Sequence, residues 1–145
     1  MKIVITDNQG VEDDPLNTEL YVVFDDAYAF PGNMWTDFTG TLLFEWINAI
    51  VYSDHKRGFE WRFMDGGNYK IKFSPSADGV FDIICAVNNG KREYYKTKAS
   101  KEDVKNALIT AISDLISVLK NNKINSDEMI RNLKIKASIL NNCNI

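Results

Sequence analysis

Residues 58–98 read GFEWRFMDGGNYKIKFSPSADGVFDIICAVNNGKREYYKTK and carry the clearest structural signal in the chain. Large apolar residues alternate with polar ones on both sides of Gly66-Gly67, which predicts a β-hairpin with one aromatic face. A slip of one residue would expose that whole face, so the alternation also predicts the register. Residues 80–87 and 92–97 extend the hairpin into a four-stranded meander. The side chains expected to face the helices are Phe59, Trp61, Phe63, Tyr69, Ile71 and Phe73.

The segments on either side of this meander complete a mixed pattern. Residues 2–6 and 20–25 are rich in β-branched and aromatic residues, which predicts two strands. Apolar residues at helical spacing predict a buried helix over residues 37–52, with Thr36 as its N-cap. Ser100 opens a long helix, with Asp103 in the capping position three residues later, and Ser126 opens a shorter one.

The order β-β-α-β-β-β-β-α-α predicts an α+β fold, with an antiparallel sheet of about six strands and helices packed on it. A chain of 145 residues is long enough to bury its own core, so we expect a single domain over residues 1–145. A short C-terminal helix is expected over residues 126–141.

Composition indicates an ordinary globular protein, with 45% hydrophobic and 26% charged residues. Residues 1–7 lack the apolar core of a secretory signal, and no apolar window approaches the roughly 18 residues of a membrane span. We therefore expect a cytoplasmic protein without membrane association. Cys85 and Cys143 lie far apart in the chain and are expected to be reduced thiols.

Charge is distributed unevenly, although the net charge is only −3. Residues 1–55 carry ten acidic side chains against one basic side chain, whereas residues 56–145 carry sixteen basic and ten acidic ones. The acidic half would attract a basic partner. Alternatively, the two halves neutralise each other across the folded surface.

Motifs that would indicate catalysis are missing from the sequence. His55 is the single histidine and lies in a polar stretch, and the two cysteines have no spacing typical of a zinc site. The acidic runs at residues 12–14 and 25–26 lack the spacing of a calcium loop. We expect a protein with no enzymatic activity, no metal and no cofactor. An enzyme that uses these acidic residues remains the less favoured alternative.

The best candidate for nucleic-acid binding is residues 91–98, with four basic side chains and two tyrosines. Lysines on an exposed edge strand also serve to block aggregation. The acidic balance of the whole chain favours this protective role, so no nucleic-acid partner is expected.

Three segments resemble small bacterial proteins that are largely uncharacterised: residues 30–38 (FPGNMWTDF), 42–46 (LLFEW) and 63–66 (FMDG). Some of those proteins look like the immunity partners, or antitoxins, of polymorphic and contact-dependent growth inhibition toxins. The resemblance covers about residues 30–75. It implies an inhibitor that binds one cognate protein toxin. Nuclease toxins are commonly basic, and an acidic inhibitor would suit such a partner.

Taken together, these features favour a non-enzymatic protein-binding module, an immunity protein that neutralises a toxin by binding and occluding it. The alternative is an accessory or small-ligand-binding domain. Trp35 is either an apolar anchor for the partner or a lid over the core. The oligomeric state is not indicated. The residues expected to bind the partner are Glu12, Asp13, Asp14, Asp25, Asp26 and Trp35.

The absence of ligand spacing leads to a prediction about metals. Calorimetric titration with Mg²⁺, Mn²⁺ and Ca²⁺ should reveal no site tighter than about 1 mM, since scattered surface carboxylates bind divalent cations weakly. A micromolar site would instead favour an enzyme that uses the acidic residues.

Overall fold

The computed structural model describes residues 1–7, 17–54, 56–64, 68–122 and 127–145. In these ranges the chain forms eight strands and three helices. Their bounds are β1 Lys2–Thr6, β2 Asn17–Val23, β3 Ala29–Phe30, β4 Thr36–Phe38, α1 Thr39–Val51, β5 Phe59–Arg62, β6 Lys70–Pro75, β7 Val80–Val87, β8 Arg92–Ser100, α2 Lys101–Asn121 and α3 Asp127–Asn141.

The strands form two antiparallel sheets, which confirms the predicted α+β class. In the first sheet, β2 pairs with β1 on one side and with the short strands β3 and β4 on the other. The second sheet is the meander β5-β6-β7-β8. The described strands are thus divided between two sheets of four, where a single sheet of about six was expected. Strands β3 and β4 are too short to leave a period of two in the sequence.

The predicted register of the meander is confirmed. Phe59 pairs with Phe73 and Trp61 with Ile71, and these four side chains are buried together with Phe63. Tyr69 is only half-buried. Among the charged residues on the opposite face, Lys70 is the exception because its side chain is covered. The Lys70 side chain occupies the space that a side chain at Gly90 would need.

Helix α1 begins at Thr39, so the prediction of an N-cap at Thr36 is wrong. Residues 36–38 instead form β4, which pairs with Asn17–Glu19 of β2. Residues 36–38 are paired with β2, and the Asp37 carboxylate accepts bonds from Trp35, Phe38 and Met64, so it does not cap the helix. Tertiary pairing therefore outweighed the local capping signal.

Two buried tryptophans join α1 to the second sheet. The indole N–H of Trp46 donates to the Arg62 carbonyl at 3.0 Å, and that of Trp61 donates to the Trp46 carbonyl at 3.3 Å. Their rings stack with centroids 4.9 Å apart. Both polar groups are satisfied within the apolar core, so this pair fixes the helix on β5 at no cost in unpaired donors.

The two C-terminal helices pack against the rest of the core. Ser100 caps α2 as predicted, because its hydroxyl accepts a bond from the Asp103 N–H at 3.0 Å. Lys105 donates to the Asn141 carbonyl, and Lys136 donates to the Asn48 side chain, which ties α3 to α2 and α1. Helix α3 begins at Asp127, while Ser126 lies outside the described residues. No helix in the described ranges is long and apolar enough to span a bilayer.

Gly58 and Gly79 both have positive φ, but only Gly58 is closely approached by another strand. A side chain at Gly58 would collide with the Phe73 carbonyl, whereas none of the described atoms lies within 4 Å of the corresponding position at Gly79. We expect Gly79→Ala to lower the free energy of unfolding by about 1–2 kcal/mol through backbone strain alone. Gly58→Ala should lower it by about 3 kcal/mol or more, since overpacking adds to the strain. Urea denaturation measures both, and equal losses would contradict this packing.

Candidate functional site

The carboxylate of Asp37 connects two distant segments of the chain. One oxygen accepts bonds from the Trp35 indole N–H and from the Met64 N–H, both at 3.1 Å, and the other accepts from the Phe38 N–H at 2.9 Å. Asp37 itself is only 6% exposed. Bonds from three donors to a nearly buried carboxylate hold the Trp35 indole and the end of β5 in fixed positions.

Large apolar side chains with exposed surface belong to the two segments that this carboxylate joins. Met34 is 71% exposed and Met64 is 47% exposed, whereas Trp35 is half-buried and packs against Tyr69 with ring centroids 5.0 Å apart. We call Met34, Trp35, Met64 and Tyr69 the Asp37 patch. Exposed apolar patches on soluble proteins often mark sites of interaction.

An open pocket of about 430 Å³ lies beside the Asp37 patch and falls in the size range of ligand pockets. Tyr69 belongs to both the patch and the pocket, so the two are continuous. Tyrosines from three separate segments contribute to its walls. The lining residues are Tyr28, Phe30, Pro31, Asn68, Tyr69, Val87, Asn88, Arg92 and Tyr94.

Two of the three tyrosines are packed against other rings. Tyr28 stacks on Tyr95 at 4.1 Å, with the rings nearly parallel, and Tyr95 in turn contacts Phe24. Tyr69 packs edge-on against Phe30 at 6.0 Å and also contacts Trp35. These contacts restrict both pocket rings without using hydrogen bonds.

Tyr94 reaches the pocket because of an irregularity in β8. The pairing with β7 shifts between Cys85 and Ala86, which leaves Tyr94 opposite no residue. A bulge of this kind turns a side chain away from the regular alternation. Tyr94 is 50% exposed, and the guanidinium of Arg92 lies over its ring, 4.7 Å from the centroid.

The acidic residues predicted to bind a partner have different surroundings. Asp25 is exposed and lies 2.8 Å from the amino group of Met1. Asp26 accepts a bond from the Tyr95 hydroxyl at 2.6 Å, behind Tyr28. Glu12, Asp13 and Asp14 lie outside the described residues, so their place at the site stays a prediction. Asp26 and Trp35 thus contact two different residues of the pocket wall, Asp26 through the Tyr28 N–H and Trp35 through the Tyr69 ring, and Asp25 is next to Asp26 in the chain.

The bond between Asp26 and Tyr95 couples two ionisable groups. It lowers the pKa of Asp26 below its usual 3.8. The pKa of Tyr95 is raised above its usual 10.0, first by burial and then by this hydrogen bond. Both shifts favour the neutral phenol and the ionised carboxylate, which is the combination present at neutral pH.

The basic strand β8 is partly neutralised by neighbouring acids. Lys96 pairs with Glu93 at 2.7 Å and Lys98 pairs with Asp82 at 2.9 Å, which lowers the pKa of both carboxyl groups. Arg92 forms no salt bridge within the described residues and is the basic side chain that lines the pocket. Sequence analysis identified this strand but not the pocket at its start.

Neither the cysteines nor the acidic side chains of the described ranges form a metal site. Cys85 is buried, and burial raises the pKa of its thiol to about 12, so it is not a nucleophile at neutral pH. Cys143 is a second free thiol and is half-buried. Among the residues that the structure describes, no three His, Cys, Asp or Glu side chains are grouped to hold a metal ion. His55 lies outside them.

A scan of protein-family models found no match, and comparisons with curated proteins and with solved structures found no significant match.

The coupling between Asp26 and Tyr95 predicts a dependence of stability on pH. Because the folded pKa of Asp26 is lowered, its contribution is present above the usual value of 3.8 and is lost as the pH falls through the folded pKa. Tyr95→Phe should therefore destabilise the protein near neutral pH, and its deficit relative to the parent chain should shrink in acid. The test is to measure the urea midpoints of both proteins from neutral pH down to below pH 3.8. A deficit that is constant with pH would mean that the hydroxyl contributes only packing.

Proposed function

We propose that this chain is a non-enzymatic protein-binding module whose docking surface is the Asp37 patch together with the rim of the adjoining pocket. The observation that carries the proposal is the fixed and partly exposed Trp35, together with the exposed side chains of Met34, its neighbour in the chain, and of Met64, whose N–H binds the same carboxylate oxygen. Aromatic residues and methionine are enriched in protein interfaces, and lysine and glutamate are depleted there. The Asp37 patch consists of two methionines, a tryptophan and a tyrosine, and it contains no lysine or glutamate.

The rigidity of the patch supports the same function. Trp35 is held by a hydrogen bond to Asp37 and by its contact with Tyr69, so little side-chain freedom would be lost when a partner covers it. Methionine side chains are flexible and can adapt to the shape of a partner. A fixed aromatic anchor in the same patch as two adaptable side chains is well suited to tight and extensive contact.

The more specific form of the proposal is an immunity protein that occludes a cognate toxin in the bacterial cytoplasm. Its support is the sequence resemblance, the acidic character of residues 1–55 and the two free cysteines expected of a reducing compartment. The acidic residues Glu12, Asp13, Asp14, Asp25 and Asp26 would steer a basic toxin domain toward the surface, and Trp35 would anchor it. Neither nucleic acid nor a membrane is proposed as a partner.

The binding partner for testing the patch is the protein encoded by the neighbouring gene, because toxin genes lie next to the genes of their inhibitors. Met34→Ser combined with Met64→Ser should weaken binding by about tenfold or more, since truncated anchors commonly cost over 1 kcal/mol. Both side chains are exposed, so the urea midpoint should not change.

The matched control is Ile135→Ser combined with Ile139→Ser, because these side chains are also large, apolar and exposed but lie on α3. Biolayer interferometry should show unchanged affinity for the control. Equal losses in both pairs, or a neighbouring protein that does not bind, would contradict the proposed surface.

Steering by the acidic residues is tested separately. Replacing all five with the corresponding amides should reduce the association rate by about tenfold to a thousandfold at low salt and flatten its salt dependence. A control with the same change in charge elsewhere should have a smaller effect. If both variants behave alike, only the net charge matters and these acids do not define the docking surface. The control positions are Asp78, Glu102, Asp114, Asp127 and Glu128.

A further inference from the structure

The pocket beside the Asp37 patch has a chemistry of its own. Three tyrosine rings, from the β2–β3 connection, the start of β6 and the bulge of β8, contribute to one opening. Because Tyr28 and Tyr69 are packed against other rings, they offer preformed surfaces on which a flat group can stack. Aliphatic ligands would not use these ring faces as fully.

The polar groups of the pocket favour a negatively charged ligand. Arg92 is exposed, lines the pocket, and pairs with no carboxylate of the described residues. A guanidinium presents a fork of donors that fits a carboxylate or phosphate. The amide side chains of Asn68 and Asn88 supply further donors, and the pocket lining includes no acidic side chain from the described ranges.

The backbone next to the pocket holds these groups in a fixed arrangement. Asn88, Asn89 and Gly90 all have positive φ, at 51°, 56° and 83°, and the Lys91 N–H closes the turn by donating to the Asn88 carbonyl at 3.1 Å. This turn connects β7 to β8 and thereby places Asn88 and Arg92 on the same pocket. Consecutive non-glycine residues with positive φ are retained only where the surrounding structure determines their conformation.

We propose that this pocket binds a planar aromatic group that carries a carboxylate or a phosphate. The ring stacks among Tyr28, Tyr69 and Tyr94, while Arg92 binds the anionic group with help from Asn68 and Asn88. The same chemistry is found in a free aromatic acid and in the C-terminal aromatic residue of a peptide. The pocket is present in the isolated chain, so this proposal can be tested without a toxin partner, although the pocket rim also belongs to the proposed docking surface.

Nuclear magnetic resonance titrations of the intact chain provide the test. The probes are 4-hydroxyphenylacetate and a pentapeptide that ends in tyrosine with a free carboxylate. Saturable shifts of the Asn68 and Asn88 side-chain amides and of the Arg92 Nε–H are expected, with a Kd of about 1 mM or lower. Tighter binding of the peptide would identify the C-terminus of a protein as the natural ligand, and equal binding of the two probes would identify a free aromatic acid.

Two neutral or non-planar analogues separate the parts of the proposal. 4-Hydroxyphenylacetamide lacks the charge and cyclohexylacetate lacks the flat ring, so each should bind at least about tenfold more weakly. If the acid, its amide and the saturated acid bind alike, or if neither aromatic probe saturates, the proposal is wrong.

Two substitutions localise the binding. Arg92→Gln should weaken the acid about tenfold and leave the weak binding of the amide unchanged, whereas Tyr94→Ala should weaken both. Both side chains are exposed, so the fold should survive, as an unchanged amide spectrum elsewhere would verify. The matched controls are Arg57→Gln and Tyr52→Ala, which alter exposed residues outside the pocket lining and should not affect binding. Equal effects in the controls would show that binding is non-specific.

Discussion

The bonds accepted by the Asp37 carboxylate are the constraint on which the proposed binding surface depends. A carboxylate that is 6% exposed is costly to leave without partners, and here three N–H donors satisfy it. Two of those donors belong to Trp35 and Phe38, which are close to Asp37 in the chain, and the third belongs to Met64, two residues after β5. One side chain thus fixes an indole, a strand of the first sheet and the segment that follows β5 relative to each other.

The aromatic core provides the rigid base for this arrangement. Trp46 and Trp61 stack between α1 and β5 and donate their indole hydrogens to backbone carbonyls, one of which belongs to Arg62. Phe63 contacts both Trp46 and Phe30, and Phe30 contacts Tyr69. A continuous series of ring contacts therefore runs from the buried centre to the exposed pocket. Because packed rings resist displacement, contact with the core restricts the movement of the pocket walls.

Regular alternation made the meander predictable from sequence, whereas the site depends on features that have no such pattern. The register of Trp61 and Phe73 follows from a period of two, and Ser100 was recognisable as a helix cap. Strand β4 was not recognisable, because three residues are too few to show an alternation of apolar and polar side chains, and Asp37 resembles a residue at the start of a helix. Its bond to Met64 joins residues 27 positions apart, which local propensity cannot reveal.

Charge patterning predicted an acidic binding surface but could not place its members. Asp25 lies against the Met1 amino group and Asp26 against the Tyr95 hydroxyl, and both contacts join residues far apart in the chain. The pocket likewise depends on a bulge that places Tyr94 outside the regular strand pairing. Tyr69 belonged to the predicted aromatic face, yet it lies at the edge of that face and lines the pocket. Long-range packing determines each of these positions, so composition and spacing alone were insufficient.

The most direct test of the account is the indole N–H spectrum of Asp37→Asn, since the chain has only three tryptophans. An asparagine has one acceptor oxygen and turns an amino group toward the remaining donor, so about 1–3 kcal/mol of stability should be lost. The Trp35 indole and Met64 amide resonances should shift and exchange faster with water, while those of Trp46 and Trp61 remain in place. An unmoved, slowly exchanging Trp35 indole would contradict the claim that Asp37 organises the binding surface.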